Sequence, residues 1–365
     1  MKIEGNLIAV KGIIGVEEAK ALTGAMSGCD IYTIDFSEVS EVKFAALREF
    51  LNSRRSGKRF NIINASDSVA EKFEDSGVSS FINVCRKPEP LDMSKYTEFG
   101  ASYLSKAYNS ADGDSMMKIY GPNVPRQMVM QEKVTARAVM LFGIPTPLVG
   151  TVYTDGDRTA LDFERIEGKR SFSRIMAEEP ERLEEMSRRF ARMCKELHST
   201  PCDTAIFNDR SIFYRQAAVN CKELTSQERQ KLLDFINSIP QETTCLHGDM
   251  QMSNVITTGS GDMWIDLSDF GYGNPLFDLG MLYFQVKYAP EHIIKDLFHF
   301  GRETMLKVWD YFVEEYFGAD TPAKKAAADA AVEPFCVLHM TYLGTNYGFV
   351  PGMAEGVKAK ITELL

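Results

Sequence analysis

At 365 residues the chain exceeds what one hydrophobic core ordinarily supports, so two or three compact units are expected. No apolar run is long enough to cross a membrane. The start, "MKIEGNLIAVKGIIG", lacks the basic region and long apolar core of a secretory signal, so the expectation is a soluble, cytoplasmic protein. A formal charge of -10 argues against nucleic acid or an anionic membrane as the main partner, because both are bound chiefly through Lys and Arg.

The first eighty-odd residues alternate short apolar runs with amphipathic segments. "NLIAVKG", "DIYTIDFSEV" and "RFNIINA" read as strands, and "VEEAKALTGAM", "KFAALREFLNSRR" and "DSVAEKFEDSGV" as helices. This order, together with "IDFSEVSEVKFAAL" and "SGVSSFINV", resembles a STAS domain over residues 1–88. The resemblance implies a protein partner for this domain. In that family the turn after the central strand carries an Asp-Ser pair whose serine is phosphorylated. Here Lys43 and Phe44 stand at those positions, which removes the hydroxyl, so no phosphorylation is expected there. "RKPEPLDMSK", with two prolines, reads as an extended connection, and residues 89–95 are expected to be a linker.

From Tyr96 onward, "YTEFGASYLSKAY" and "DSMMKIYG" predict antiparallel strands. "PRQMVMQEKVTARAVMLFGIPTP" predicts a helix starting at Pro125 and stopping at Gly143 before Pro145. "TALDFERIEGKRS" supplies another strand. Helices should dominate beyond it, and Leu183, Met186, Phe190, Cys194 and Leu197 recur at the three- and four-residue steps of a core-facing stripe. The seven cysteines, Cys29, Cys85, Cys194, Cys202, Cys221, Cys245 and Cys336, are scattered without CxxC pairs, which suits reduced thiols better than disulfides or zinc.

The chemistry concentrates in "CLHGDMQMSNVITTGSGDMWIDLSDFGYG", residues 245–273. "SNVITTGSGDMWIDL" predicts a hairpin. A turn centred on Ser260 would set Val255 opposite Ile265, Ile256 opposite Trp264, and Asn254 opposite Asp266 at the open end. An amide oxygen beside a carboxylate is ligation that Mg²⁺ accepts, with water and phosphate oxygens completing the shell. Asp249, in a tight His-Gly-Asp turn five residues before Asn254, would then lie near the same ion, where a base acting on an incoming hydroxyl belongs. His247 reads as a packed, hydrogen-bonded loop histidine.

His247-Gly248-Asp249, Asn254, Ile265-Asp266 and "GYGNPLFDLG", in this order, resemble the catalytic core of the aminoglycoside phosphotransferase and choline kinase family, over roughly residues 95–365. The resemblance implies a two-lobed protein-kinase-like fold, with the N-lobe at 96–167 and the mainly helical C-lobe at 168–365. The expected fold class is thus α/β and α+β multidomain, a STAS-like α/β domain followed by the two lobes. By resemblance Asp249 is the catalytic base, Asn254 and Asp266 are metal ligands, and Asp278 is a structural carboxylate. Lys118 matches the phosphate-binding lysine and Glu132 the helix glutamate that pairs with it. "FERIEGK", with Phe163 and Arg165, matches the adenine-contacting hinge. The segment "EFGASYLSKAY" departs from the family's glycine-rich loop by holding one clear glycine.

The expected cofactors are ATP and Mg²⁺, and the expected reaction is phosphorylation of a small-molecule hydroxyl, the charge on the transferring group being met by the metal and Lys118. Two other readings exist. One is a degenerate kinase-like module that holds nucleotide and signals through the STAS-like domain. The other is a metal-dependent hydrolase built on His247, Asp249 and Asp266, for which the spacing offers too few ligands. From Gln241 to Leu365 there are 17 Asp and Glu against 8 Lys and Arg, interleaved with aromatic residues. That balance suits a cationic acceptor, an amino alcohol or amino sugar.

Overall fold

The computed structural model describes residues 1–26, 31–101 and 105–364. Cys29 and positions 102–104 of "EFGASYLSKAY" lie outside them. The chain divides into two compact units, Met1–Ile166 and Glu167–Leu365.

The first unit contains two sheets. The N-terminal one is built from β1 (Lys2–Glu4), β2 (Leu7–Ile14), α1 (Val16–Gly24), β3 (Ile31–Val42), α2 (Phe44–Arg55), β4 (Arg59–Ala65), α3 (Asp67–Asp75) and β5 (Val84–Arg86). Its strands lie in the order β1-β2-β3-β4-β5. β1 and β2 form an antiparallel hairpin, and the other neighbours pair in parallel, each parallel pair bridged by a helical crossover. The strands and helices expected from the apolar spacing all form. Ile34, Phe36, Phe60 and Ile62 pack with Ala19, Leu22, Leu47, Phe50 and Phe73 of the three helices into one core.

The second sheet comprises β6 (Glu89–Pro90), β7 (Tyr96–Ala101), β8 (Ser105–Ser110), β9 (Ser115–Tyr120), β10 (Val149–Thr154) and β11 (Thr159–Glu164), in the order β6-β10-β11-β9-β8-β7. Glu89–Pro90, read from sequence as linker, is extended as its prolines suggested, but it pairs in parallel with the end of β10. A proline is admitted there because β6 is an edge strand. Helix α4 (Arg126–Leu141) follows Pro125 and ends before Gly143, whose φ of 81° is the left-handed conformation that stops a helix.

The second unit is mainly helical, with α5 (Phe172–Glu178), α6 (Leu183–Ser199), α7 (Ser211–Asn220), α8 (Ser226–Ser238), α9 (Leu276–Lys287), α10 (Glu291–Phe298), α11 (Arg302–Phe317), α12 (Pro322–Tyr347) and α13 (Met353–Leu364). On α6, Met186, Phe190, Cys194 and Leu197 are buried as the stripe predicted. Two three-stranded sheets complete the unit: β12 (Arg170–Ser171) with β15 (Val255–Thr258) and β16 (Gly261–Trp264), and β13 (Asn208–Asp209) with β17 (Gly271–Gly273) and β14 (Thr244–Leu246). Among the described residues no helix is long and apolar enough to cross a membrane.

The β15–β16 hairpin forms, but one residue out of the expected register. Val255 lies opposite Trp264 and Thr258 opposite Gly261, so the turn is the two residues Gly259-Ser260 rather than one centred on Ser260. Asn254 accordingly meets Ile265, whose N–H donates to the Asn254 carbonyl at 2.9 Å. Asp266 is not the cross-strand neighbour of Asn254.

Candidate functional site

In the second unit the site grows from the turn between β14 and β15. β14 brings the chain to His247, and Gly248 reverses it with a φ of 81°. A Cβ at Gly248 would lie 2.1 Å from the Asp269 carbonyl oxygen, so the position excludes any side chain. The turn is pinned by Asp278 of α9, whose Oδ2 accepts the His247 N–H at 2.7 Å and whose Oδ1 accepts the Gly248 N–H at 2.9 Å. Burial raises the pKa of Asp278. The His198 hydrogen bond, the charges of His198 and His247 and the Gly248 N–H outweigh this and hold the carboxyl below its ordinary range. His198 bonds to Asp278 Oδ2 at 3.2 Å through Nε2 and to the Tyr316 hydroxyl at 2.8 Å through Nδ1.

Asp249 emerges from this turn half-buried. Its Oδ2 accepts from Asn254 Nδ2 at 2.8 Å and from Gln251 Nε2 at 3.1 Å, and Asn254 Nδ2 also donates to the Asp249 carbonyl at 2.9 Å. The Asp249 carboxyl is pushed up to about 7, first by burial and then by the negative charge of Asp266, against the two amide donors. Asp266 has φ 60° and ψ 58°, a left-handed conformation that an aspartate tolerates, at the point where β16 gives way to the following turn.

His247 is fully buried and serves the same turn. The Asp249 N–H donates to Nδ1 at 3.3 Å, so the ring proton sits on Nε2, which bonds the Ile265 carbonyl at 3.1 Å. Burial lowers the affinity of this ring for a second proton. It is a packed structural histidine, as expected.

In the first unit Lys118, on β9, and Glu132, on α4, form an ion pair at 2.9 Å. Glu132 is only 7% exposed, which separates it from a solvated helix residue. Leu161 lies opposite Lys118 on β11, and Phe163, two residues on, is partly buried against the core that contains Val129, Val134 and Val152. At the end of β11 the Arg165 N–H donates to the Asp114 carbonyl at 3.0 Å, and its guanidinium lies against Gly113. The Phe163 ring is therefore occupied by core packing.

Sequence reasoning missed Gln251, His198 and Arg210. Arg210, buried, donates to Asp269 at 3.1 Å and lies 4.4 Å from the centre of the Phe213 ring. Nothing in the local spacing marks it, because its partner is 59 residues away. Phe213 lines a cavity of about 480 Å³ with Gln216, Asn220, Tyr342 and Asn346. A second cavity, of about 500 Å³, shares Asn220 and Lys222 with the first and adds Glu223 and Glu355. Among the described residues no cluster of three or more His, Cys, Asp or Glu could hold a metal, so any cation here would depend on an amide and ligand oxygens as well.

The model of the phosphotransferase enzyme family, APH, matches residues 109–310, more than half of the chain, and the chain belongs to that family. No curated protein matches it. Among solved structures, a thermostable mutant of aminoglycoside phosphotransferase APH(4)-Ia in its apo form is similar with a TM-score of 0.51 at 15% identity, over 74% of this chain and 94% of that one. A ternary complex of such a mutant with AMP-PNP and hygromycin B gives 0.52 at 14% identity, over 74% and 93%. A choline/ethanolamine kinase family protein from Mesorhizobium loti gives 0.47 at 18% identity, over 74% and 87%. At these identities the likeness to the two aminoglycoside phosphotransferase structures is one of fold.

Proposed function

We propose that the protein transfers the γ-phosphoryl group of ATP to a hydroxyl of a small molecule. The observation that carries this reading is the Asp249 carboxylate, held in a turn pinned by Asp278 and bonded by Asn254 and Gln251. The reading is supported by the family and by the AMP-PNP and hygromycin B bound to a relative of the same fold.

In the reaction the acceptor oxygen bonds to the γ-phosphorus as the bridging oxygen of the β-phosphate leaves with ADP, and the hydroxyl proton passes to Asp249. A carboxylate with a pKa near 7 is a stronger base than an ordinary one and can take that proton late, as a loose transition state requires. Lys118, steadied by Glu132, binds the α- and β-phosphates. Backbone and side chains around Phe163 and Arg165 meet the base. Asn254 has committed its Nδ2 to Asp249, so its amide oxygen is the atom left for a cation. With the Asp266 carboxylate it would supply the all-oxygen ligation that Mg²⁺ accepts. When bound, the ion neutralises phosphate oxygens.

A degenerate, non-catalytic module is not favoured, since the residue types at all five positions (Lys118, Glu132, Asp249, Asn254, Asp266) are those the chemistry needs. The acceptor is an amino alcohol or amino sugar. Many of the acidic residues behind that expectation are engaged by cations of the chain, as in Asp262 with Arg189, Glu314 with Lys325 and Glu333 with Lys360. The argument for a cation therefore narrows to the cavities, where Glu223 and Glu355 outnumber Lys222 and where Phe213 and Tyr342 offer rings. We read residues 1–88 as a STAS-like domain with a protein partner, and the protein as cytoplasmic. The test is ATP consumption stimulated by cationic, neutral and anionic alcohols at low and high salt. A cationic acceptor should be preferred, with a KM that rises with salt. Preference for an anionic acceptor at a salt-independent KM contradicts the acceptor class and leaves the transferase reading in place.

A further inference from the structure

Every residue of β4 is buried, because both faces of the N-terminal sheet are covered. On one face Phe60 and Ile62 join the core made with α1, α2 and α3. On the other, Ile63 of β4 and Cys85 of β5 share a core with Val129, Met130 and Val134 of α4 and with Tyr120, Val152 and Leu161 of the second sheet. Asn61 adds a polar clasp. Its Nδ2 donates to Gln131 Oε1 at 3.3 Å, and its Oδ1 accepts from Asn83 Nδ2 at 3.1 Å.

Helix α4 is thus walled by a sheet on two sides. Val129, Met130, Glu132, Val134, Thr135, Ala136, Ala138 and Val139 are all buried, a distribution that runs around the helix instead of along one stripe. A helix packed against one sheet alone would leave Val129 and Met130 a wet side. Glu132 sits within this walled stretch, next to Gln131, and its carboxylate holds the Lys118 ammonium.

We propose that the N-terminal domain is a supporting wall of the phosphate-binding pair, with Ile63 and Asn61 as positioning residues that fix α4 and, through it, Glu132. This rests on the reading of Lys118 as a phosphate ligand. The domain then acts on nucleotide affinity through packing, and needs no hydroxyl at Phe44 to do so.

Two neighbouring residues of β4 supply the experiment on the full chain. Ile63→Ala removes side-chain volume from the face against α4, whereas Ile62→Ala removes the same volume from the domain's own core. Nucleotide affinity is measured by calorimetry with AMP-PNP, and hydrogen exchange is followed over residues 126–141. Ile63→Ala should weaken AMP-PNP binding about tenfold and speed exchange in α4, with Ile63→Val intermediate. Ile62→Ala should lower the unfolding midpoint comparably while leaving affinity within about twofold and α4 exchange unchanged. Equal effects of the two alanine variants on affinity and exchange, or no effect of either, overturn the proposal. Lys118→Ala binding AMP-PNP like wild type overturns the reading of the site instead, and α4 exchange in the two β4 variants still reports whether the wall holds the helix.

Discussion

Burying a carboxylate costs several kcal/mol unless donors meet its oxygens, and Asp278 meets that condition with the N–H groups of His247 and Gly248 and the ring of His198. The residue is 2% exposed, so water cannot replace a lost partner. Asp278→Ala would strand two backbone donors and the imidazole. We expect a loss of roughly 3–5 kcal/mol in urea unfolding. A loss below about 1 kcal/mol would show that the turn holds itself. His198 illustrates what a linear reading cannot see. It lies on a helix whose spacing announces a core stripe, but its partners, Asp278 and Tyr316, come from 80 and 118 residues further along the chain.

At the scale of the element, the turn and the hairpin differ in how far their sequences specify them. His-Gly-Asp is specified by sterics: with φ at 81° and a carbonyl 2.1 Å from any Cβ, position 248 admits glycine alone. Gly248→Ala should therefore shift Asp249 and reduce kcat by roughly 10²-fold, the scale of a misplacement of about 1 Å. Gly259→Ala is the comparison, since a Cβ there meets nothing and its φ is not left-handed. Steady-state kinetics showing equal losses in the two variants would remove the steric argument. The hairpin was legible as a hairpin but not in its register. "TTGSGD" permits a turn on Ser260 or on Gly259-Ser260, and the choice between them is a matter of turn geometry that composition leaves open. The assignment of Asn254 and Asp266 does not depend on that register, because the resemblance rests on residue order and not on pairing. Asp266 itself stands at a left-handed backbone step that no spacing rule announces. β10 escaped the reading because "VGTVYT" follows two prolines and carries no alternating pattern, and the second wall against α4 is distant in sequence, where local spacing cannot announce it.

Across the whole molecule, the buried polar groups also set how the protein responds to acid. His339 of α12 is buried between Phe284 and Tyr342, and among the described residues its Nδ1 has no partner. Burial first, and then the charge of Arg210, lower its pKa to about 3, against the opposing charge of Asp278. Between pH 6.5 and 3 the unfolded chain binds a proton that the folded chain refuses, so this contribution is intact above the unfolded pKa and is lost as pH falls. From pH 7 to pH 5 the wild type should lose about 2 kcal/mol more than His339→Leu in denaturant unfolding. Parallel losses would place another group in that role. The measurement that bears most directly on the central claim is transfer of labelled γ-phosphoryl from ATP to hydroxylated amines by wild type and Asp249→Asn. Wild type should give a phosphorylated acceptor, and Asp249→Asn should bind nucleotide nearly as well but transfer it roughly two to four decades more slowly. Equal transfer by both proteins, or no transfer by wild type to any acceptor in the panel, would contradict the account.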